Sequence, residues 1–497
     1  MKDKVYEILK HSAVYSIGNI ALKGMGIITL PIYTHYLTRA EVGTFGLVDI
    51  TINIIAEVLI LGQANSIILF NNKREYGDKK NNVFYTITVF VLLINLLFVL
   101  AAELFGETIF SLSKSTKDLT AFLPFIIYIS LIRVVNNLFL NKLRADEKSA
   151  FFTLITLIKI ITFVGLIFYT VVHLKLSVYG IMYSYLLSEI VILMIQLPGM
   201  IVKMNPRFEK EALKTALKFG MPLVFSSIGI LILNLSDRYL INHYINLEEV
   251  GIYDIAYRVA GIVNMFLILP FSQAMLPAAF KAAGDSANRR YLSKLMTYMC
   301  YVIVWGGLAI SIFSDEIIYI LGSENYADAK IYIPLIVLAY IFSAMRNVAS
   351  NGLLFSEKTS LIAVITIAAG LLNIALNIIF LPIFGTIAAA YTTLISFIIF
   401  YFLTDTLSKK YYSIQYENYK IIKLLLLGIA LYFLVSLLTT DVFILQLLIK
   451  IIIIGSFPFL LLFVKFYEKI ELETISAGIK SLRDPSELKK HFKNLLS

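Results

Sequence analysis

Cysteine is almost missing: Cys300 is the only one in 497 residues. That excludes a disulfide framework and a thiolate metal centre. The five histidines are scattered without ligand spacing, so no metal cofactor is expected. No glycine-rich phosphate loop occurs, which excludes a nucleotide-driven motor within the chain. Charge is scarce too, at 15% where a soluble chain carries about 25%. Long polar connections are also lacking. A membrane-embedded glycosyltransferase or polymerase would carry catalytic groups on a sizeable outer loop. The longest outer connections, near 105–118 and 315–330, are short. Enzymatic chemistry is not expected.

What fills the chain instead is apolar. Hydrophobic residues make up 59% of it, and the mean hydropathy is +0.82. A membrane helix needs roughly 20 such residues in a row, and one run follows another here. The runs do not alternate in polarity, which excludes a β-barrel and leaves a helical bundle. The spacing predicts spans near 12–33, 42–69, 82–104, 119–141, 149–172, 177–200, 217–237, 249–280, 293–314, 331–355, 359–380, 385–405, 419–438 and 442–465. Lys2, Lys4 and Lys10 precede the first span as in a signal peptide. No small-residue cleavage site follows, so that span is read as a retained helix.

Positive charge sets the orientation. With the N-terminus inside, inner segments hold roughly 30 Lys and Arg, against about 6 outside and about 7 within spans. Inner clusters include Lys73, Arg74, Lys79 and Lys80, then Lys203, Arg207, Lys210 and Lys214, then Lys281, Arg289, Arg290 and Lys294. Both termini are expected in the cytoplasm. The net charge of +10 is thus topological, and it calls for no nucleic acid.

The chain also repeats itself. Tyr36–Gly43 reads YLTRAEVG and Tyr244–Gly251 reads YINLEEVG. Asn137–Ser149 (NLFLNKLRADEKS) matches Asn347–Thr359 (NVASNGLLFSEKT), continuing from Ile155-Thr156-Leu157 to Ile365-Thr366-Ile367. Tyr183–Ser188 (YSYLLS) matches Tyr391–Ser396 (YTTLIS). All share an offset of roughly 208–210 residues, or about six helices, so the two copies have the same orientation. The expected fold is all-α: two six-helix bundles around a central cavity, over 1–205 and 206–412. Two more helices follow in 413–470, and then a basic cytoplasmic tail, 471–497. Paired like-oriented bundles suit alternating access.

Ionisable groups at membrane depth are costly and point to a pathway or a partner. They fall on polar stripes at helical spacing. Span 1 has Ser12, Ser16, Asn19 and Lys23; span 2 has Asp49, Asn53 and Glu57; span 4 has Arg133, Asn137 and Asn141. Span 5 has Thr153, Thr156 and Lys159; span 8 has Asp254 and Arg258; span 10 has Ser343, Arg346, Asn347 and Ser350. Glu189 sits midway along span 6. Cations outnumber acids in this set, which suits an anionic ligand, and guanidinium suits phosphate. Plainer pairings stand beside that reading. Asp254 and Arg258 are one turn apart, Lys159 can meet Glu189 or Glu57, and Lys423 and Lys450 can snorkel or pair locally.

Ile28–Gly46 (ITLPIYTHYLTRAEVGTFG), Ser236-Asp237-Arg238, Glu249-Val250-Gly251-Ile252-Tyr253, Ala256-Tyr257-Arg258 and Phe271-Ser272-Gln273 with Pro277 occur in an order that resembles one family. It is the polysaccharide-biosynthesis, or oligosaccharide flippase, family of the multidrug/oligosaccharidyl-lipid/polysaccharide exporter superfamily. The resemblance covers essentially the whole chain. It implies a flippase in a bacterial cytoplasmic membrane that moves undecaprenyl-diphosphate-linked oligosaccharide between leaflets. It also implies no cofactor, coupling to an H⁺ or Na⁺ gradient or to the membrane potential, and a polysaccharide polymerase as further partner. By that analogy Lys23, Arg133, Arg258 and Arg346, with Asn137 and Asn347, hold the diphosphate or acidic sugars. Asp49, Glu57, Glu189 or Asp254 would carry the coupling ion. One departure is Gln63-Ala64-Asn65, where many relatives carry an arginine. A lipid II-type flippase and a cation-coupled multidrug antiporter are the alternatives.

Overall fold

The structure is a computed structural model that describes residues 18, 24–72, 74–272, 275, 286–322, 324–438, 440 and 442–473. Thirteen helices within it are long and apolar enough to cross a membrane. They are α2 (Arg39–Leu59), α3 (Lys80–Ser111), α4 (Thr120–Ala145), α5 (Ser149–His173), α6 (Ser177–Val202) and α7 (Lys210–Tyr244). Then come α8 (Leu247–Ser272), α9 (Arg289–Ile312), α10 (Ile333–Phe355), α11 (Thr359–Phe384), α12 (Ile387–Tyr411), α13 (Asn418–Leu437) and α14 (Phe443–Phe463). A shorter helix, α1 (Leu30–Tyr36), precedes them. Most of the expected first span, with Lys23, lies outside the described residues, as do Gln273, Pro277 and nearly all of the basic tail.

Two span boundaries move. The expected span 42–69 is broken: α2 stops at Leu59, and a separate helix runs over Gln63–Asn72. Leu61 (φ 52°) and Gly62 (φ 68°) are both left-handed there, which ends an α-helix. A Cβ on Gly62 would lie 2.4 Å from the Gly220 carbonyl oxygen, so only glycine fits this contact with α7. The expected span 217–237 in turn grows to Lys210–Tyr244, which draws Asp237 and Arg238 into the bundle.

The repeated sequence motifs make repeated structures. Thr38 caps α2 by accepting from the Glu41 amide, and Asn246 caps α8 by accepting from the Glu249 amide. Five residues beyond each cap, Gly43 and Gly251 meet where α2 crosses α8. A Cβ on Gly43 would lie 2.0 Å from the Leu247 carbonyl oxygen, and one on Gly251 would lie 2.1 Å from that of Arg39. The two backbones touch, and glycine alone allows it. The other motif makes a corner. Glu147 (φ 57°) and Glu357 (φ 58°) end α4 and α10 in the left-handed region. The next amides, Lys148 and Lys358, bond back to Leu143 at 2.9 Å and Leu353 at 2.8 Å. Packing runs in parallel too: α2, α5 and α6 gather with α4 as α8, α11 and α12 gather with α10.

Polar contacts tie one end of the bundle shut. The Arg39 guanidinium pairs with Asp328 at 3.2 Å and donates to the Asn325 carbonyl at 2.6 Å. Thr34 donates to the Leu321 carbonyl, and Tyr326 to that of Leu37. At the opposite end the polar contacts gather in three groups. Lys142 meets Asn71 and Asp146, Glu209 meets Lys79, Asn82 and Thr86, and Lys294 and Lys420 meet Glu417 and Glu468. The last two helices pack beside α9, where Trp305 donates to the Ile454 carbonyl. Lys450, expected to snorkel or pair, pairs with Glu316 at 2.7 Å, and Lys423 donates to the Val464 carbonyl beside Tyr419.

Candidate functional site

The interior of the bundle gathers most of the charges singled out above, and it orders them. Glu189, fully buried on α6, accepts from Arg133 Nε at 3.1 Å and from Lys159 Nζ at 2.7 Å. Asn136 of α4 adds a bond at 2.8 Å to its other oxygen and one to its backbone carbonyl. Arg133 also donates to Asn53 Oδ1 at 2.8 Å and lies over the Tyr185 ring. Glu189 therefore binds α4 to α5 and α6. Of the two acids within reach of Lys159 in the sequence, the structure gives it Glu189; Glu57 is half-buried on α2.

A second group lies where α7 and α8 meet α2. Arg258 Nε donates to Asp254 Oδ2 at 2.7 Å, and its guanidinium lies over Phe45 and Tyr33. Arg238 approaches Asp254 and Asp237, each at 3.6 Å, and stacks 3.8 Å above the centre of the Tyr257 ring. Asp237, fully buried, accepts from Tyr253 at 2.8 Å and Thr393 at 3.2 Å. Behind Thr393, the buried Asn373, Asn377 and Thr392 continue a hydrogen-bonded polar core.

The two groups form one alternating series of acid and base: Asp237, Arg238, Asp254, Arg258, then Asp49, then Arg133, Glu189, Lys159. Asp49 is its loose link. Both Arg133 and Arg258 act on it electrostatically, but it makes no salt bridge among the described residues. Asn53, one turn on, donates to the Asp49 backbone carbonyl. Asp237 and Arg238 add one charge of each sign to the set, so the cation surplus read from the sequence is unchanged.

Arg346 stands apart from the series. Its Nε is buried without a hydrogen-bond partner, and its guanidinium lies over the Phe400 ring at 4.5 Å. It is alone among Arg133, Lys159, Arg258 and Arg346 in having no carboxylate partner among the described residues. The repeat explains why. In register, Arg346 falls at the position of Asn136, Phe397 at that of Glu189, and Ala369 at that of Lys159. The second copy keeps a cation on the same face and replaces the acid with a phenyl ring. Asn137 and Asn347 occupy equivalent half-buried positions beside these arginines.

Sequence reasoning missed Asn136, Asp237 and Arg238. Asn136 lies three residues beyond Arg133, and only the four-residue spacing had been followed. Asp237-Arg238 fell at a span edge drawn seven residues too early.

Comparison with known proteins gives the family and the fold. Residues 8–283 match the family described as polysaccharide biosynthesis protein, and residues 222–379 match the MatE family. An uncharacterized membrane protein of Methanocaldococcus jannaschii is 24% identical over 260 residues, 50% of each chain. A probable low-salt glycan biosynthesis flippase of Haloferax volcanii is 25% identical over 218 residues, 40% of this chain and 45% of that protein. The aligned part spans about half the length of these curated relatives. Among solved structures, a lipid II flippase in an inward closed conformation superposes with a TM-score of 0.73 at 18% identity, covering 91% of this chain and 99% of that one. The chain is a multi-pass membrane protein of the polysaccharide biosynthesis family, and it has the fold of that lipid II flippase.

Proposed function

We propose that this chain is a flippase for a polyprenyl-diphosphate-linked oligosaccharide, a repeat unit of a cell-surface polysaccharide. It works by alternating access in a cytoplasmic membrane, with both termini in the cytoplasm. The two bodies that rock are 1–205 and 206–412, and a polysaccharide polymerase takes up the flipped unit. The observation that carries this reading is Arg346, a cation at membrane depth with no acid partner among the described residues, stacked on Phe400. An uncompensated guanidinium there is costly unless a ligand supplies the anion, and it pairs well with phosphate. Arg133, Arg258 and Lys23, with Asn137 and Asn347, complete the anion and sugar contacts. Of the four acids considered for ion coupling, Glu189 and Asp254 are each held by two cations, so Asp49 and Glu57 are the ones free to exchange an ion. The Arg39 end is the outer face.

Purified protein in vesicles is expected to move a fluorescent lipid-diphosphate-sugar between leaflets. Arg346→Ala should slow this at least tenfold, the loss of one charge-assisted contact of about 1.5–3 kcal/mol. Full activity of the Arg133→Ala, Arg346→Ala double variant would remove the anion reading. Transport of cationic drugs without any lipid movement would favour an antiporter. A preference for lipid II over other lipid-linked sugars would favour the peptidoglycan precursor.

A further inference from the structure

We propose that Asp49 is a proton-operated plug in an anion site formed by Arg133 and Arg258. Ionised, it neutralises the gap between the two guanidinium groups; protonated, it leaves both to a diphosphate. This rests on the cargo reading above and adds how the same cavity takes and releases its ligand.

The alternating series is the starting point. Its other neighbours are in contact, at 3.6, 3.6 and 2.7 Å on one side of Asp49 and at 3.1 and 2.7 Å on the other. Only at Asp49 is the contact open. The gap also falls where the two repeated copies meet, since Arg133 is on α4 and Arg258 on α8, with α2 between them. A guanidinium has five N–H donors in a rigid fork. Arg258 uses its Nε on Asp254, and Arg133 uses its Nε and one terminal nitrogen on Glu189 and Asn53. The remaining donors make no hydrogen bond among the described residues. The two side chains keep 20% and 13% exposure, which leaves them open to the interior space.

The groups around Asp49 decide what its charge does. On α2, the Arg258 guanidinium lies over Phe45, one turn before Asp49, and Arg133 bonds to Asn53, one turn after it. Glu189 of α6 already holds Arg133, which lies over Tyr185 of α6, and Arg258 pairs with Asp254 of α8 and lies over Tyr33 of α1. From α7, Tyr239 bonds to Thr51, and Arg238 is committed to Asp237 and Asp254. The neighbouring α3 has no ionisable side chain between Tyr85 and Glu103. Among the described residues, Asp49 is thus the one carboxylate between the two arginines that neither is bonded to. A diphosphate arriving between them would meet its charge at close range in a poorly screened interior. Uptake of one proton by the carboxylate removes that repulsion, and only an O–H bond forms. By reciprocity, a bound anion raises proton affinity at Asp49, and proton loss expels the anion. Cargo and proton then bind together and leave together.

The test is binding by calorimetry to the full-length chain in detergent, between about pH 5 and pH 8. The probe is farnesyl diphosphate linked to N-acetylglucosamine, whose two esterified phosphates stay singly charged over that range. Wild type should bind more tightly as pH falls, by up to roughly tenfold per unit, with uptake of one proton per ligand. Asp49→Asn, nearly isosteric, should bind at every pH as tightly as acidified wild type, so its binding also reports that it is folded. Glu107→Gln, an exposed carboxylate on α3, should keep the wild-type slope. A slope that survives in Asp49→Asn, one that disappears in Glu107→Gln, or none in wild type overturns the plug and leaves the anion cargo intact. No binding by wild type at any pH overturns both.

Discussion

At the scale of single residues, Glu189 is where the interior is most tightly determined. It holds Arg133 and Lys159 at once, so it stabilises three helices through one fully buried carboxylate. Removing one partner of a buried ion pair leaves an uncompensated charge and costs about 3–5 kcal/mol. Glu189→Gln leaves two. It should lower the thermal midpoint of the purified protein more than Glu57→Gln, whose half-buried carboxylate holds no cation among the described residues. Equal midpoints for the two variants would show that Glu189 is not the tie. The sequence already marked Glu189, Arg133 and Lys159 as charges at depth, because an ionisable residue in a long apolar run is conspicuous by itself. It did not reveal their pairing. Partners on separate helices depend on how those helices rotate, which periodicity within one helix does not record. Arg346 was legible for the opposite reason: no acid lies on its own helix face, and the fold brings none among the described residues.

At the scale of elements, helix positions were legible and helix ends were not. Apolar length placed the thirteen described spans, since lipid imposes a minimum run. It did not find the break at Leu61-Gly62, where a left-handed pair interrupts a sequence that stays apolar on both sides. Nor did it find the true end of α7, because Asp237-Arg238 reads as a polar boundary unless their partners Tyr253, Tyr257 and Thr393 are known. The repeated motifs carried more than was read from them. The glycine ending each of the YLTRAEVG and YINLEEVG segments is the contact point of α2 and α8. Gly43→Ala should therefore push the crossing apart and lower the thermal midpoint, whereas Ala at Gly455, with open space around it, should not.

The junction behind α14 is a second element with a testable property. Hydrogen bonds from Lys294 and Lys420 hold the Glu468 carboxyl down at about 2, below its ordinary 4.5. A depressed carboxyl contributes stability that is complete above about pH 4.5 and is lost as pH falls toward 2. Amide protection over 468–472, taken relative to the intrinsic exchange rate at each pH, should fall across that window in wild type. In Glu468→Gln the protection should be low already at neutral pH and change little on acidification.

At the scale of the whole molecule, the question is which contacts must break for the cavity to change sides. The two repeated copies share a fixed crossing at Gly43 and Gly251, and a set of polar bonds just beyond it, at Arg39, Asp328, Asn325, Thr34 and Leu321. The first is backbone against backbone, with no solvent to replace what is lost. The second is half-exposed: Arg39 and Asp328 are 35% and 59% accessible, and an exposed ion pair contributes about 0–1 kcal/mol. Such bonds are cheap to break and fit a gate that opens in every cycle. Joining them covalently should stop the cycle. Arg39→Cys with Asp328→Cys, bridged by a short bifunctional thiol reagent, should abolish lipid movement in vesicles and regain it on cleavage of the bridge. The one native thiol, Cys300, is buried and does not compete. Each single cysteine variant should flip lipid at near the wild-type rate after the same treatment, because the salt bridge itself contributes little. Undiminished transport in the bridged double variant would mean that these ends stay together throughout, and the opening would then have to lie elsewhere in the bundle.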